Sequence, residues 1–156
     1  MARIFLSHQY TLEDKSVLVP TLTKIVNALQ ASGHTVFCSA LQQEEITENK
    51  CYSYDERLSY CIKKQQDADL VLAILLSHNP SNGMLQELKQ AKELQQTYVL
   101  VATPSHTFEE YRAQATEVLE YEIVESMTEH ITEKLNNLVI SSNEQTLNHS
   151  NTYGVQ

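Results

Sequence analysis

Between Asp69 and Ser77 every residue of the segment ADLVLAILLS (68–77) is apolar. Such a run is too short to cross a bilayer as a helix. It is also too continuous for a strand with one face in water, which would alternate apolar and polar positions. It fits a central strand of a parallel sheet, covered by helices on both faces. A parallel strand cannot be joined to its neighbour by a tight turn, so the chain around it must alternate strands with helical crossovers.

The flanking sequence supplies that alternation. RIFLS (3–7) is a short buried strand, and from about Ser16 to Ser32 the residues Val17, Leu18, Leu22, Ile25, Val26 and Leu29 recur at helical spacing, with Gly33 where a C-terminal cap belongs. HTVFCS (34–39) predicts a second strand, the polar stretch 40–53 a long loop, and 54–66 a polar helix. After the apolar run, Met84, Leu88 and Ala91 mark one face of a helix, and TYVLVAT (97–103) predicts a fourth strand ended by Pro104. A helix over 107–117, a weaker strand over 118–124 and an amphipathic helix from Ser126 to Val139 complete one domain, 1–140. The Ser-, Asn- and Thr-rich residues 141–156 predict a flexible tail. Five strands alternating with helices predict an α/β, flavodoxin-like three-layer sandwich with a parallel sheet in the order 2-1-3-4-5.

In such a sheet, ligands bind beyond the carboxyl ends of the strands, near the switch between the first and third. The strands leave polar residues there: Ser7, His8 and Tyr10 after the first, Ser77, His78, Ser81, Asn82 and Gly83 after the third, and Ser105 and His106 after the fourth. Turns and helix caps favour several of these types anyway. Glu87 is not explained that way. It falls three residues after Met84 and four before Ala91, inside the apolar arc of its helix. A carboxylate there has to be paired, protonated or used, because a solitary buried charge is costly.

Charge and motif content narrow the function. The chain has 11 Lys and Arg against 20 Asp and Glu, a formal charge of −9. No basic cluster interrupts it, which argues against a nucleic-acid polymer or an anionic membrane as partner. With no basic-then-apolar leader and no spanning run, neither a signal peptide nor a membrane helix is expected. Cys38, Cys51 and Cys61 lack CxxC spacing and predict reduced thiols in a cytoplasmic protein. No glycine-rich GxGxxG or P-loop motif occurs, so no dinucleotide or P-loop nucleotide cofactor is expected. The three edge histidines and Glu87 follow no metal-ligand spacing, and no metal is expected. Without a GxSxG elbow, a serine triad is not indicated.

The blocks RIFLSHQY, Gly33-HTVF, ADLVLAILL, PSNGMLQELKQA and YVLVA resemble, in this order, the nucleoside 2-deoxyribosyltransferase superfamily, which includes the deoxynucleoside monophosphate N-glycosidases. Ser81, Gly83, Glu87 and Ala91 fit that superfamily's S-x-G-x-x-x-E-x-x-x-A block, and the similarity spans residues 3–103. The resemblance implies a Glu87 nucleophile that attacks the anomeric carbon of a 2-deoxyribosyl group and forms a sugar ester, which a second base or water resolves. It assigns Tyr10 to orient Glu87 or touch the sugar, and Ser81, Asn82 and Gly83 to hold the 5′ hydroxyl or phosphate. Ser7, His8 and His78 would line the same substrate site. The implied partner is a nucleoside or nucleotide, in a homo-oligomer whose copies complete one another's sites, with Tyr153 a candidate contributor. Members place an Asp about seven residues before the Ala-Asp pair. Cys61 stands there in this chain, and Asp55, two turns earlier, is the candidate substitute.

A second resemblance competes. FLSHQYTLEDK is similar to the opening of TIR domains, whose enzymatic members cleave NAD with a Glu in the equivalent helix. Three readings therefore stand: a deoxyribosyltransferase or N-glycosidase, a TIR-like NAD-cleaving or signalling domain, and a non-catalytic nucleotide-binding or interaction module.

Overall fold

The protein's structure, a computed structural model, describes residues 1–105 and 108–152, with side chains to Leu138. The elements run β1 (Arg3–His8), α1 (Lys15–Ala31), β2 (Thr35–Cys38), α2 (Gln43–Glu48), α3 (Tyr54–Gln66), β3 (Leu70–Ile74), α4 (Asn82–Glu93), β4 (Thr97–Ala102), α5 (Glu109–Gln114), β5 (Glu117–Glu120) and α6 (Val124–Thr152). All strands are parallel, in the order β2-β1-β3-β4-β5. This is the flavodoxin-like sandwich expected from the alternation.

The apolar run lies at the sheet's centre, and all five β3 residues are buried. Alternate side chains feed two cores. Ile4, Leu6, Leu72 and Val99 pack with α1 and α6, while Phe5, Val71, Ala73 and Leu100 pack with α4 and the residues around α2 and α5. The alternation decides where Ser7 points, because it follows Phe5 by two positions and pairs with Ala73. Asp14 caps α1 by accepting from the Ser16 amide at 2.9 Å, and Gly33, at φ +92°, ends it in a conformation that disfavours a side chain.

Three elements depart from the sequence expectation. The stretch read as a loop contains α2, whose QEEITE carries one buried apolar residue, Ile46, too little for a detectable period. Helix α6 continues to Thr152, well past Val139; Ser, Asn and Thr lower helix propensity, but no Gly or Pro lies between Val124 and Tyr153 to stop it. Strand β5 is confined to Glu117–Glu120, with alternating half-buried and exposed residues, as an edge strand allows. Among the described residues, no helix is long and apolar enough to cross a membrane. His106 and Tyr153 lie outside the described residues.

Candidate active site

Helix α4 starts at the carboxyl edge with Ser81 as N-cap, whose Oγ accepts from the Met84 amide at 3.2 Å. Its apolar face is the expected one: Met84, Leu88 and Ala91 are buried against the sheet. Glu87 lies among them. The helix is pinned there by the buried Gln65 of α3, whose Nε2 donates to the Glu87 carbonyl at 2.7 Å. Gln96 holds that pin in turn, donating to the Gln65 carbonyl at 2.7 Å and the Ala68 carbonyl at 2.9 Å.

The Glu87 side chain reaches a cleft of about 430 Å³ at the carboxyl edge of the sheet. Tyr10 and Thr11 of the β1–α1 loop, Gln43 and Ile46 of α2, and Tyr54, Arg57, Leu58 and Cys61 of α3 form its walls. The α3 residues follow the i, i+3, i+4, i+7 spacing of a single helix face. Glu87 is partly buried, and its Oε2 is sealed from solvent with no hydrogen-bond partner. Burial pushes its pKa up to about 8; the nearby Ser7 hydroxyl, itself buried and without a partner at bonding geometry, pulls weakly the other way. Behind Ser7, the Tyr98 and Tyr111 hydroxyls bond to each other, and burial raises the pKa of both. The carboxyl of Glu87 therefore meets neutral groups on the protein side.

Cys61 occupies the place where the resembling superfamily carries Asp. Burial, with the Glu87 carboxylate and Cys51 adding to it, pushes this thiol up to about 11, so it stays protonated and is a weak acid. Arg57, one turn earlier, is held by two neutral oxygens: Nε donates to the Cys51 carbonyl at 3.2 Å and Nη1 to Gln43 Oε1 at 2.8 Å. Among the described residues, Arg57 and Glu87 are the only charged ones lining the cleft.

The sequence-derived candidates separate into two groups. Tyr10 shares the cleft with Glu87; it is 45% exposed, and Lys15 Nζ lies 4.4 Å from its ring centroid. Ser7 lies beneath Glu87. His8 is next to Tyr10, their ring centroids 6.4 Å apart, with Nε2 3.4 Å from Ser39 Oγ; burial pushes its pKa down to about 4, so it is neutral.

Ser7 and His8 are not themselves cleft-lining residues, and neither are the remaining candidates. His78 bonds through Nδ1 to Glu13 at 3.3 Å. Ser81, Asn82 and Gly83 form the start of α4, where the Ser81 hydroxyl is occupied by capping and a Cβ on Gly83 would meet nothing nearer than Ser81 Oγ at 3.7 Å. Asp55 lies on the other side of α3, in a separate hollow with Asn49, Ser59 and Lys63. Among the described residues, no three His, Cys, Asp or Glu residues converge as metal ligands.

Sequence reasoning missed Arg57, Tyr54 and Gln43. The available signal was the α3 spacing 54-57-58-61, which a polar helix hides because no apolar stripe marks its inner face.

No family model and no curated protein matches the sequence. Solved structures do. A CMP N-glycosidase of Clostridium botulinum, BcmB, superposes with a TM-score of 0.62 at 16% identity, covering 87% of this chain and 98% of that one. The 2-deoxyribosyltransferase of Bacillus psychrosaccharolyticus gives 0.58 at 17% identity, over 81% and 90%. The chain shares its fold with these two enzymes. A conserved protein from Enterococcus faecalis V583 superposes on this chain with a TM-score of 0.60 at 14% identity, over 86% and 99% of the two chains.

Proposed function

We propose that the protein cleaves or transfers the N-glycosidic bond of a 2′-deoxynucleoside or its 5′-monophosphate, with Glu87 as nucleophile. The observation that carries this reading is the Glu87 carboxyl at a cleft wall, one oxygen buried and unpartnered. A buried carboxyl without partners is costly to the fold, so its position calls for a chemical use. The neighbouring fold is one in which enzymes act on nucleosides and nucleotides.

In the proposed reaction, ionised Glu87 forms a bond to C1′ as the C1′–N bond breaks and positive charge develops on the sugar. Water or an acceptor base then displaces the ester and restores the carboxylate. Tyr10 and Tyr54, both exposed at the cleft wall, offer aromatic surface suited to a flat base. The first amides of α4, at Asn82 and Gly83, lie outside the cleft lining one turn before Glu87 and have no acceptor within their own helix, so a 5′ group that extends past Glu87 would meet them. His8, neutral, lies against Tyr10 and Ser39 of the wall, and Ser7 lies behind Glu87.

The test is product analysis. Purified protein is incubated with 2′-deoxynucleosides, their 5′-monophosphates and NAD, and released base is resolved by chromatography beside the Glu87→Gln variant. Base from a deoxynucleoside substrate with wild type and none with the variant is the expected result. Nicotinamide from NAD would transfer the protein to the TIR-like reading, and no base from any substrate would leave a binding module.

A further inference from the structure

We infer that Arg57 is the leaving-group residue of this site, and that it selects bases of the uracil and thymine type, which depart as oxygen-stabilised anions. The inference rests on the reading of Glu87 given above and adds the substrate class.

The cleft is lined by a carboxyl and a guanidinium that form no ion pair with each other. Glu87 stands on α4, and Arg57 stands on α3 one turn, about 5.4 Å, before Cys61. Cys61 lies between their influences: the Glu87 charge raises its pKa and the Arg57 charge lowers it. No ion pair among the described residues includes Arg57; its fixed contacts are the Cys51 carbonyl and the Gln43 side-chain oxygen. Those two bonds orient the guanidinium and leave the Nη2 donors for a ligand. A cation held by neutral acceptors in a partly closed cleft is a preorganised stabiliser for negative charge that develops during a reaction.

The charge has an obvious source. When Glu87 bonds to C1′, the electron pair of the C1′–N1 bond stays on the base. In a 2,4-dioxopyrimidine it spreads from N1 to O2 and O4, and a guanidinium can hold either oxygen. Water then attacks C1′ of the ester, freeing Glu87, and the proton released in that step neutralises the base anion.

Cytosine and adenine leave poorly without prior protonation. Among the described residues the cleft lining includes no Asp, no His and no carboxyl besides Glu87, and the Cys61 thiol, pushed up to about 11, is a weak acid. The cleft is therefore built for a leaving anion and lacks the acid that amino-substituted bases require.

The experiment compares two substrates on the same protein preparations, so any loss of folded material cancels in the ratio. One substrate is 2′-deoxyuridine, tested also as its 5′-monophosphate. The other is an aryl 2-deoxyriboside with a 4-nitrophenolate leaving group, which departs unaided. Arg57→Gln is expected to slow deoxyuridine cleavage about 100-fold while changing the aryl substrate less than about threefold, with Arg57→Lys in between. Wild type is expected to release uracil and thymine faster than cytosine and adenine.

Equal losses on both substrates, or cytosine released as fast as uracil, would overturn the role of Arg57 and leave Glu87 untouched. Cleavage of the aryl substrate alone by wild type would do the same. Cleavage of neither substrate would remove the reading of Glu87, and the inference with it.

Discussion

Two glutamates sit at the same edge of the sheet and have opposite fates. Glu13, in the β1–α1 loop, is buried, and its carboxylate accepts from the Ser77 amide (3.1 Å), the Ser77 hydroxyl (2.6 Å), the His78 amide (3.1 Å) and His78 Nδ1 (3.3 Å). Burial alone would raise its pKa; the bonds from Ser77 and His78 outweigh that and hold it below the usual carboxylate range. Glu87 has the burial without the donors, and its pKa rises to about 8. A buried carboxylate surrounded by donors clamps two loops. One left without them keeps its proton to a higher pH. Burial acts on both in the same direction, so the donors decide the sign of each shift.

The contrast breaks most visibly at Glu87. Glu87→Gln is expected to lower base release by at least about a thousandfold and to raise stability above neutral pH, read by thermal melts. The sign follows from linkage. With a folded pKa near 8 against an ordinary 4.5, wild-type stability falls as pH rises between those values, and the variant is spared that loss, on the order of a few kcal/mol. A variant less stable than wild type at pH 8 would contradict the carboxyl's isolation.

Glu13 has the opposite sign. Its stabilisation is present above its unfolded pKa, near 4.5, and disappears on acidification, so Glu13→Gln should flatten the acid limb of the stability curve. Glu13→Ala, which leaves the loop donors unsatisfied, should cost about 3 kcal/mol in denaturant unfolding.

Activity sharpens the pair further. If ionised Glu87 is the nucleophile, kcat/KM should rise about tenfold per pH unit and level off near pH 8. Ser7→Ala removes the one hydroxyl that favours the carboxylate and should move that plateau to higher pH. An unmoved plateau would take Ser7 out of the site. Smallest is Ser81→Ala, which removes the α4 cap at a cost of about 1 kcal/mol in stability.

The two glutamates also show what a sequence can disclose. Glu87 was visible because its conflict is local: Met84, Leu88 and Ala91 declare the buried face, and a charge among them stands out. The sheet order was visible for the same reason, since each apolar run identifies its strand without help from the others. Glu13 was invisible. Its partners Ser77 and His78 lie 64 and 65 residues away, and nothing near it in the chain marks burial. His78 was read as a substrate ligand because its position at the edge was legible and its bond to Glu13 was not. Arg57 and Tyr54 were missed on a polar helix whose inner face is defined only by the cleft it meets.

Cleft and chemistry are also divided along the chain. Apart from Tyr10, Thr11 and Glu87, every residue lining the cleft comes from the stretch between Ser39 and Cys61. That stretch is laced into one unit: Glu45 of α2 accepts from the Tyr60 hydroxyl at 2.7 Å and pairs with Lys64 at 3.0 Å, and Arg57 reaches back to Gln43. It behaves as a cassette seated on a fixed base. Ile46 and Cys51 root it in the core beneath, so a redesign of the cleft would keep those two and vary the residues that face only the opening, Gln43, Tyr54 and Arg57, while the carboxylate and its sheet stay in place.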